Sequence, residues 1–333
     1  MAALALWTVR PLECKVRRET VKSVLEPDEV VVRAEWSGIS RGTEALVVHG
    51  RVPASEHERM RGPHMAGSFT FPVKYGYSSV GVVEAAGTAA SALVGQCVFC
   101  LHPHQSRFVV SASSVHVLPR SVPAHRAVLA PNLETAINIV WDAGISLGDR
   151  VCVVGAGVVG LLVAFLASRV PGTTVSVVDP QDRSPRLEAL EIVNGDDGDF
   201  DVVIHASGNP AGLETCLALA GDEALVVEAS WHGDAACTVH LGQAFHSRRL
   251  TIKSSQVSQL PPSRRPRWDY KRRMALALSF CADSRLDCLL EYPPLEFPQD
   301  DNSESAEVFA RAYTQLLTPG PHGLCYRIRY AST

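Results

Sequence analysis

Apolar and polar positions alternate differently in the two halves of the chain. Up to about residue 120, short β-branched runs are separated by Gly and Pro: 30–36, 79–84, 97–101 and 108–110. That pattern predicts strands. A longer charged stretch, 44–72, breaks it and is expected to be irregular; His49, His57, His64 and Met65 within it are expected to shape a pocket. From 122 to 285 the pattern becomes strand and helix in alternation. Its strands are near-continuous apolar runs, 151–154, 175–178, 201–205, 224–228 and 250–254, as a parallel sheet covered on both faces requires. Periodicity places helices at 135–141, 269–281 and 306–317, and a closing strand at 325–330. An all-β front, a βαβ middle and a final strand predict two domains. The first is 1–121, with 286–333 returning to it, and the second is 122–285. A ligand site is expected in the cleft between them.

Composition narrows the class. The chain has 333 residues, 46% hydrophobic and 20% charged, with net charge −4. That is a core-forming protein with no electrostatic reason to seek nucleic acid or an anionic membrane. Nine Cys without framework spacing point to reduced thiols and a cytoplasmic setting. The Pro- and Arg-rich segment 260–266 reads as a solvated turn.

The sharpest motif is Val151-Cys-Val-Val-Gly155-Ala-Gly157-Val-Val-Gly160. Gly155 permits the tight turn after a strand, Gly157 lets backbone approach a pyrophosphate, and Gly160 lets the helix pack on the sheet. The amides of Gly157, Val158 and Val159 open that helix and favour phosphate. Asp179 ends the next strand, where a carboxylate accepts ribose hydroxyls and repels a 2′-phosphate. The expected cofactor is therefore NAD(H), with NADP(H) the alternative through Arg183 and Arg186. Ser207 and Ser230 follow the third and fourth strands and complete the expected cofactor contacts. Trp231 is a candidate pocket wall, and His232 a candidate proton-transfer group or a plain loop residue.

Three front segments, Ser37-Gly-Ile-Ser40-Arg41-Gly-Thr43-Glu44, Lys74-Tyr-Gly76-Tyr77-Ser78-Ser-Val-Gly81 and Ser146-Leu-Gly148-Asp149-Arg150-Val151, resemble segments of the medium-chain dehydrogenase/reductase superfamily. The resemblance covers nearly the whole chain. It implies a GroES-like β-barrel catalytic domain with a Rossmann doubly wound parallel-sheet domain. It also implies a homodimer or homotetramer and hydride transfer to or from an alcohol, ketone or enone. Where the superfamily has its zinc-binding Cys and His, this chain has Ser40 and Tyr77, and Glu134 lies close to the third ligand position. Neutral hydroxyls are poor zinc ligands, so no metal is expected. Without a Lewis acid, a carbonyl must be polarised by hydrogen-bond donors. The candidates are Tyr77, Ser40, Thr43 (the proton-relay position of the zinc enzymes) and Glu134; Arg41 is similar to an arginine used on the cofactor pyrophosphate. Two other readings compete. One is a zinc enzyme with atypical ligands, Glu134 with His102 or His104, or Cys100 with that histidine pair. The other is a non-catalytic nucleotide-binding homologue.

Overall fold

The computed structural model describes residues 1–192, 198–320 and 323–331. Two units cluster by contact, Met1–Pro131 with Leu290–Thr333, and Asn132–Leu289. They divide later in the chain than at 121/122 and 285/286.

The first unit is built on two sheets. The strand Glu29–Ile39 is the spine of the larger one, which has seven strands. It pairs antiparallel with Ser79–Ala86, Arg107–Ser111 and Tyr326–Arg329. The last pairing returns the chain end to this unit. The smaller sheet holds the hairpin Ala2–Arg10 and Glu13–Thr20. An isolated bridge from Ala5 to Gln105 and a Leu6 N–H to His104 carbonyl bond of 3.0 Å link the sheets. Neither sheet closes on itself among the described residues. The hairpin is absent from the periodicity reading because Lys15 and Arg17 stand on its exposed face, while Cys14 and Val16 face inward.

The helix Glu304–Leu316 covers that hairpin. Ser303 caps it, its hydroxyl accepting from the Ala306 N–H at 3.3 Å. Ala306, Phe309, Ala310 and Tyr313 repeat at helical spacing and pack with Cys14 and Val16 in one core cluster. A second helix, Arg41–Val48, corrects the irregular stretch expected from 44 onward: Glu44, Leu46, Val47 and Val48 are buried. The charge and glycine around them, Arg41, Gly42, Gly50 and Arg51, mask the periodicity.

The second unit carries one five-stranded sheet. Its order is Thr174–Val178, Arg150–Val154, Phe200–His205, Ala220–Glu228, Thr251–Ser254, all parallel. The strand order reverses between Arg150–Val154 and Phe200–His205. Such a reversal opens a crevice at the carboxyl ends of the strands. The helix Val158–Ala167 is almost wholly buried, which explains why its sequence is apolar all round. Tyr270–Phe280 is helical, with Asp269 as its cap accepting from the Arg272 N–H at 2.7 Å. The helix expected at 135–141 is longer, Ala130–Ala143. No helix among the described residues is long and apolar enough to cross a membrane.

Candidate active site

In the second unit the glycine turn is a steric necessity. Gly155 sits at φ +111°, and a Cβ there would lie 2.5 Å from the Ser207 nitrogen. A Cβ on Gly160 would lie 1.8 Å from the Gly155 carbonyl oxygen. Gly157 is the opposite case. Nothing stands within 4 Å of its missing Cβ, and no side chain caps the helix it starts. The helix thus starts with no side-chain cap on its first amides and with room beside Gly157, as a pyrophosphate needs.

Around this turn the chain gathers other predicted cofactor residues. Asp179 accepts the Ala156 N–H at 2.7 Å and the Gln181 N–H at 2.9 Å. Ser207 follows the neighbouring strand, and Ser230 accepts the Gly208 N–H at 3.1 Å. Of the two arginines that could serve a 2′-phosphate, Arg183 donates to the Gln181 side chain at 2.7 Å, and Arg186 donates to the Cys288 carbonyl.

In the first unit Tyr77 and Ser40 meet. The Tyr77 hydroxyl donates to Ser40 Oγ at 2.5 Å, and Thr43 also hydrogen-bonds the phenol. Burial pushes the Tyr77 hydroxyl up to about 12, against the opposing hydrogen bonds from Ser40 and Thr43. Tyr77 is therefore a neutral phenol at physiological pH and a donor rather than a base. A zinc ion needs thiolate, imidazole or carboxylate donors. A phenol held neutral and a serine hydroxyl bonded to each other do not fit one.

Beneath this pair lies a polar network that the sequence did not disclose. Glu44 is 1% exposed. Its Oε1 accepts the Ser40 N–H at 2.7 Å, reaching back over the first turn of its helix in the manner of a capping box. Its Oε2 bonds His104 Nε2 at 3.0 Å and accepts from the Tyr313 hydroxyl at 2.6 Å. His104 Nδ1 continues to Ser37 Oγ at 2.8 Å, and Ser37 to the Tyr330 hydroxyl at 3.1 Å. Burial raises the Glu44 carboxyl, but His104, Tyr313 and the Ser40 amide outweigh it, so the group ends below the ordinary carboxylate range. Glu44 thus fixes the backbone of the residue that receives the Tyr77 proton.

Other candidates are engaged elsewhere. Arg41 donates Nε to the Leu316 carbonyl at 3.0 Å and Nη1 to the Gly323 carbonyl at 3.2 Å. Glu134 accepts from Arg273 Nε at 3.1 Å, and Arg273 is 2% exposed. Arg273 also donates to Asn138 Oδ1 at 2.5 Å and the Val257 carbonyl at 2.7 Å. Burial raises the Glu134 carboxyl despite Arg273. Of the atypical zinc candidates, His104 is held by Ser37 and Glu44 within the first unit, and Glu134 by Arg273 within the second. His102 is stacked on Phe108 with centroids 3.7 Å apart, and burial drops its ring to about 3. Burial also pushes the Cys100 thiol up to about 12. Among the described residues, the group of three that could hold a metal ion is His205, Glu228 and His232. Its sequence signal was available: His205 and Glu228 each terminate an apolar run, at matching ends of adjacent strands.

No protein-family profile matches the chain. Over 296 residues it is 24% identical to the D-guloside 3-dehydrogenase of Escherichia coli K12, covering 78% of this chain and 83% of that protein. It superimposes on a Sinorhizobium meliloti structure, described as a zinc-binding dehydrogenase and bound to NADP, with TM-score 0.72 at 18% identity over 99% of both chains. An alcohol dehydrogenase of Escherichia coli CFT073 complexed with NADH gives TM-score 0.72 at 17% identity, over 98% of this chain and 99% of that one. These likenesses show the fold: the chain is folded as these dehydrogenases are, with a mainly β unit and a parallel-sheet unit.

Proposed function

We propose that the chain is a nicotinamide-dependent oxidoreductase that interconverts an alcohol and a ketone without a catalytic zinc. The observation that carries this reading is the Tyr77–Ser40 hydrogen bond at positions where zinc enzymes of this fold have metal ligands. Bound NAD(H) supplies the hydride or takes it up. Every other part of the work falls to side chains. In the reducing direction Tyr77 turns its hydroxyl proton to the substrate oxygen and takes up the charge that develops there. Ser40 Oγ, released from accepting, donates to the Tyr77 oxygen in its place, and Thr43 holds the phenol from a second side. In the oxidising direction the alcohol proton passes to the Tyr77 phenolate, the minor form at neutral pH, so oxidation is expected to gain as pH rises. Glu44 and His104 hold Ser40 in register.

On the cofactor side, the glycine turn and the amides of Val158 and Val159 hold the pyrophosphate, with Ser207 and Ser230 lining the ends of the next two strands. The Asp179 carboxylate favours NAD(H) over NADP(H), since it meets a ribose diol well and a 2′-phosphate badly. Arg41 is reserved for a phosphate contact only if it gives up a carbonyl partner. The Escherichia coli relative acts by name on a D-guloside, so the substrate is sought among glycosides, polyols and their keto forms. The nine cysteines form no disulfide among the described residues, which suits a reducing, cytoplasmic setting.

The test is turnover of such a panel with NADH or NAD by chelator-treated protein. Activity that survives chelation and needs no added zinc is the expected result. Activity that vanishes and returns only with zinc would overturn the reading.

A further inference from the structure

A second constellation lies at the carboxyl edge of the parallel sheet. His205 and Glu228 are register partners on adjacent strands. His205 is fully buried. Its Nδ1 stands 2.7 Å from Glu228 Oε2 and its Nε2 2.7 Å from Ser207 Oγ. The other carboxylate oxygen, Glu228 Oε1, accepts the Ser230 N–H at 2.7 Å. The turn after the strand then brings His232 back, its Nε2 3.6 Å from Glu228 Oε2 and its ring centroid 5.8 Å from that of His205. Both ring nitrogens of His232 are buried and have no hydrogen-bond partner. A buried polar group left unsatisfied costs about 1–3 kcal/mol. A His–Glu pair alone explains His205 and Glu228 but leaves His232 unexplained.

We propose that His205 Nδ1, Glu228 Oε2 and His232 Nε2 bind one divalent transition-metal ion of the zinc class. The three ligand atoms lie within 4.8 Å of one another, so a modest turn of the His232 ring closes the site. Imidazole and carboxylate are the donors such ions take, and three protein ligands leave a position open. The surroundings are arranged as for ligands. Without an ion, His205 Nδ1 carries the proton toward Glu228; with the ion bound, the proton sits on Nε2, where Ser207 Oγ accepts it and leaves the Nδ1 lone pair free. The Ser230 amide orients the carboxylate. The ion ties the 229–233 turn to two strand ends. It uses neither Ser40 nor Tyr77 and does not depend on how those act.

The experiment uses the full chain, stripped with a chelator and titrated with cobalt(II) and then zinc. The wild type is expected to take one equivalent of cobalt, with visible d–d bands and no sulfur-to-metal charge-transfer band, and zinc is expected to raise its Tm. His232→Ala and Glu228→Gln should each weaken binding by about a hundredfold, since even losing an outer partner of a metal ligand costs about 10–100-fold. His232 makes no hydrogen bond, only the 3.6 Å contact with Glu228 and the ring contact with His205, so His232→Ala should lose little metal-free Tm, and a cooperative melt shows that the variant is folded. Equal cobalt affinity in the wild type and His232→Ala, a thiolate charge-transfer band, or no binding by the wild type would each overturn the proposal.

Discussion

The glycine turn of the second unit and the hydroxyl pair of the first do comparable jobs by opposite means. The turn works by what is missing. Cβ atoms are excluded at Gly155 and Gly160 by backbone 2.5 and 1.8 Å away, and open space is kept at Gly157. The hydroxyl pair works by what is present, a phenol and a serine bonded at 2.5 Å and braced by a buried carboxylate. Backbone leaves no room for a side chain at Gly155 or Gly160. The hydroxyl pair meets no such bar and can be exchanged for other side-chain chemistry.

The strongest way to break the comparison is to give the turn the side chain it excludes. Gly160→Ala places a Cβ on the Gly155 carbonyl and must push the helix off the sheet. Overpacking of this kind costs about 1–3 kcal/mol and sometimes more. Here the clash is with backbone, so the expected outcome is loss of at least that much, read by urea unfolding, together with loss of NADH fluorescence enhancement. Gly157→Ala is the control: unchanged unfolding midpoint but weakened NADH binding. If both variants lose stability equally, the open space at Gly157 has no role in binding.

The first unit should break differently, through its buried charge. Removing one partner of a buried ion pair costs about 3–5 kcal/mol, so Glu44→Ala is expected to lose that order of stability. The milder Glu44→Gln tests pH. The folded carboxyl lies below its unfolded value, which is about 4.3. Its contribution is therefore complete above that unfolded value and is lost as pH falls through the folded one. Thermal melts from pH 7 downward should fall less steeply for Glu44→Gln than for the wild type. Parallel curves would sink the assignment of Glu44 as a charged brace.

Tyr77→Phe sharpens the chemical half of the contrast. The ring stays, the proton donor goes, and kcat is expected to fall by about a hundredfold, the usual worth of one such donor. KM and Tm should hardly move. Ser40→Ala should cost less, since Thr43 still bonds the phenol. A Tyr77→Phe enzyme with wild-type kcat would remove Tyr77 from the mechanism.

The same contrast explains what could be read from sequence. The turn, its helix and Asp179 lie within thirty contiguous positions, and each type is demanded by local geometry, so they were legible. Ser40 and Tyr77 were legible only against a family pattern, as substitutions at known positions. The Glu44–His104–Tyr313 network was not legible. Its members are separated by 60 and 269 residues, and only strand pairing and the packing of Glu304–Leu316 bring them together. Glu134 could be seen as an acid near a ligand position. Its partner, Arg273, comes from a helix 139 residues away, and no local pattern announces that. The hairpin 2–20 was missed because its exposed face carries charge, which diluted the hydrophobic signal.

The smallest expected effect is the most discriminating one for the cofactor. Asp179 makes two backbone hydrogen bonds and also supplies the negative charge at the end of the second strand. Asp179→Asn keeps the shape and one acceptor while removing the charge. The Gln181 and Ala156 amides then share a weaker acceptor, so a stability loss of about 1 kcal/mol is expected, the usual net worth of one hydrogen bond. If the carboxylate selects against a 2′-phosphate, the ratio of kcat/KM for NADH over NADPH should fall by about tenfold, which is 1.4 kcal/mol of lost discrimination. Most of the change should come from better use of NADPH, because repulsion is what has been removed. A fall confined to NADH would mean that Asp179 serves the diol by attraction alone. An unchanged ratio would move the choice of cofactor to Arg183, whose side chain lies within reach of Gln181 on the same turn.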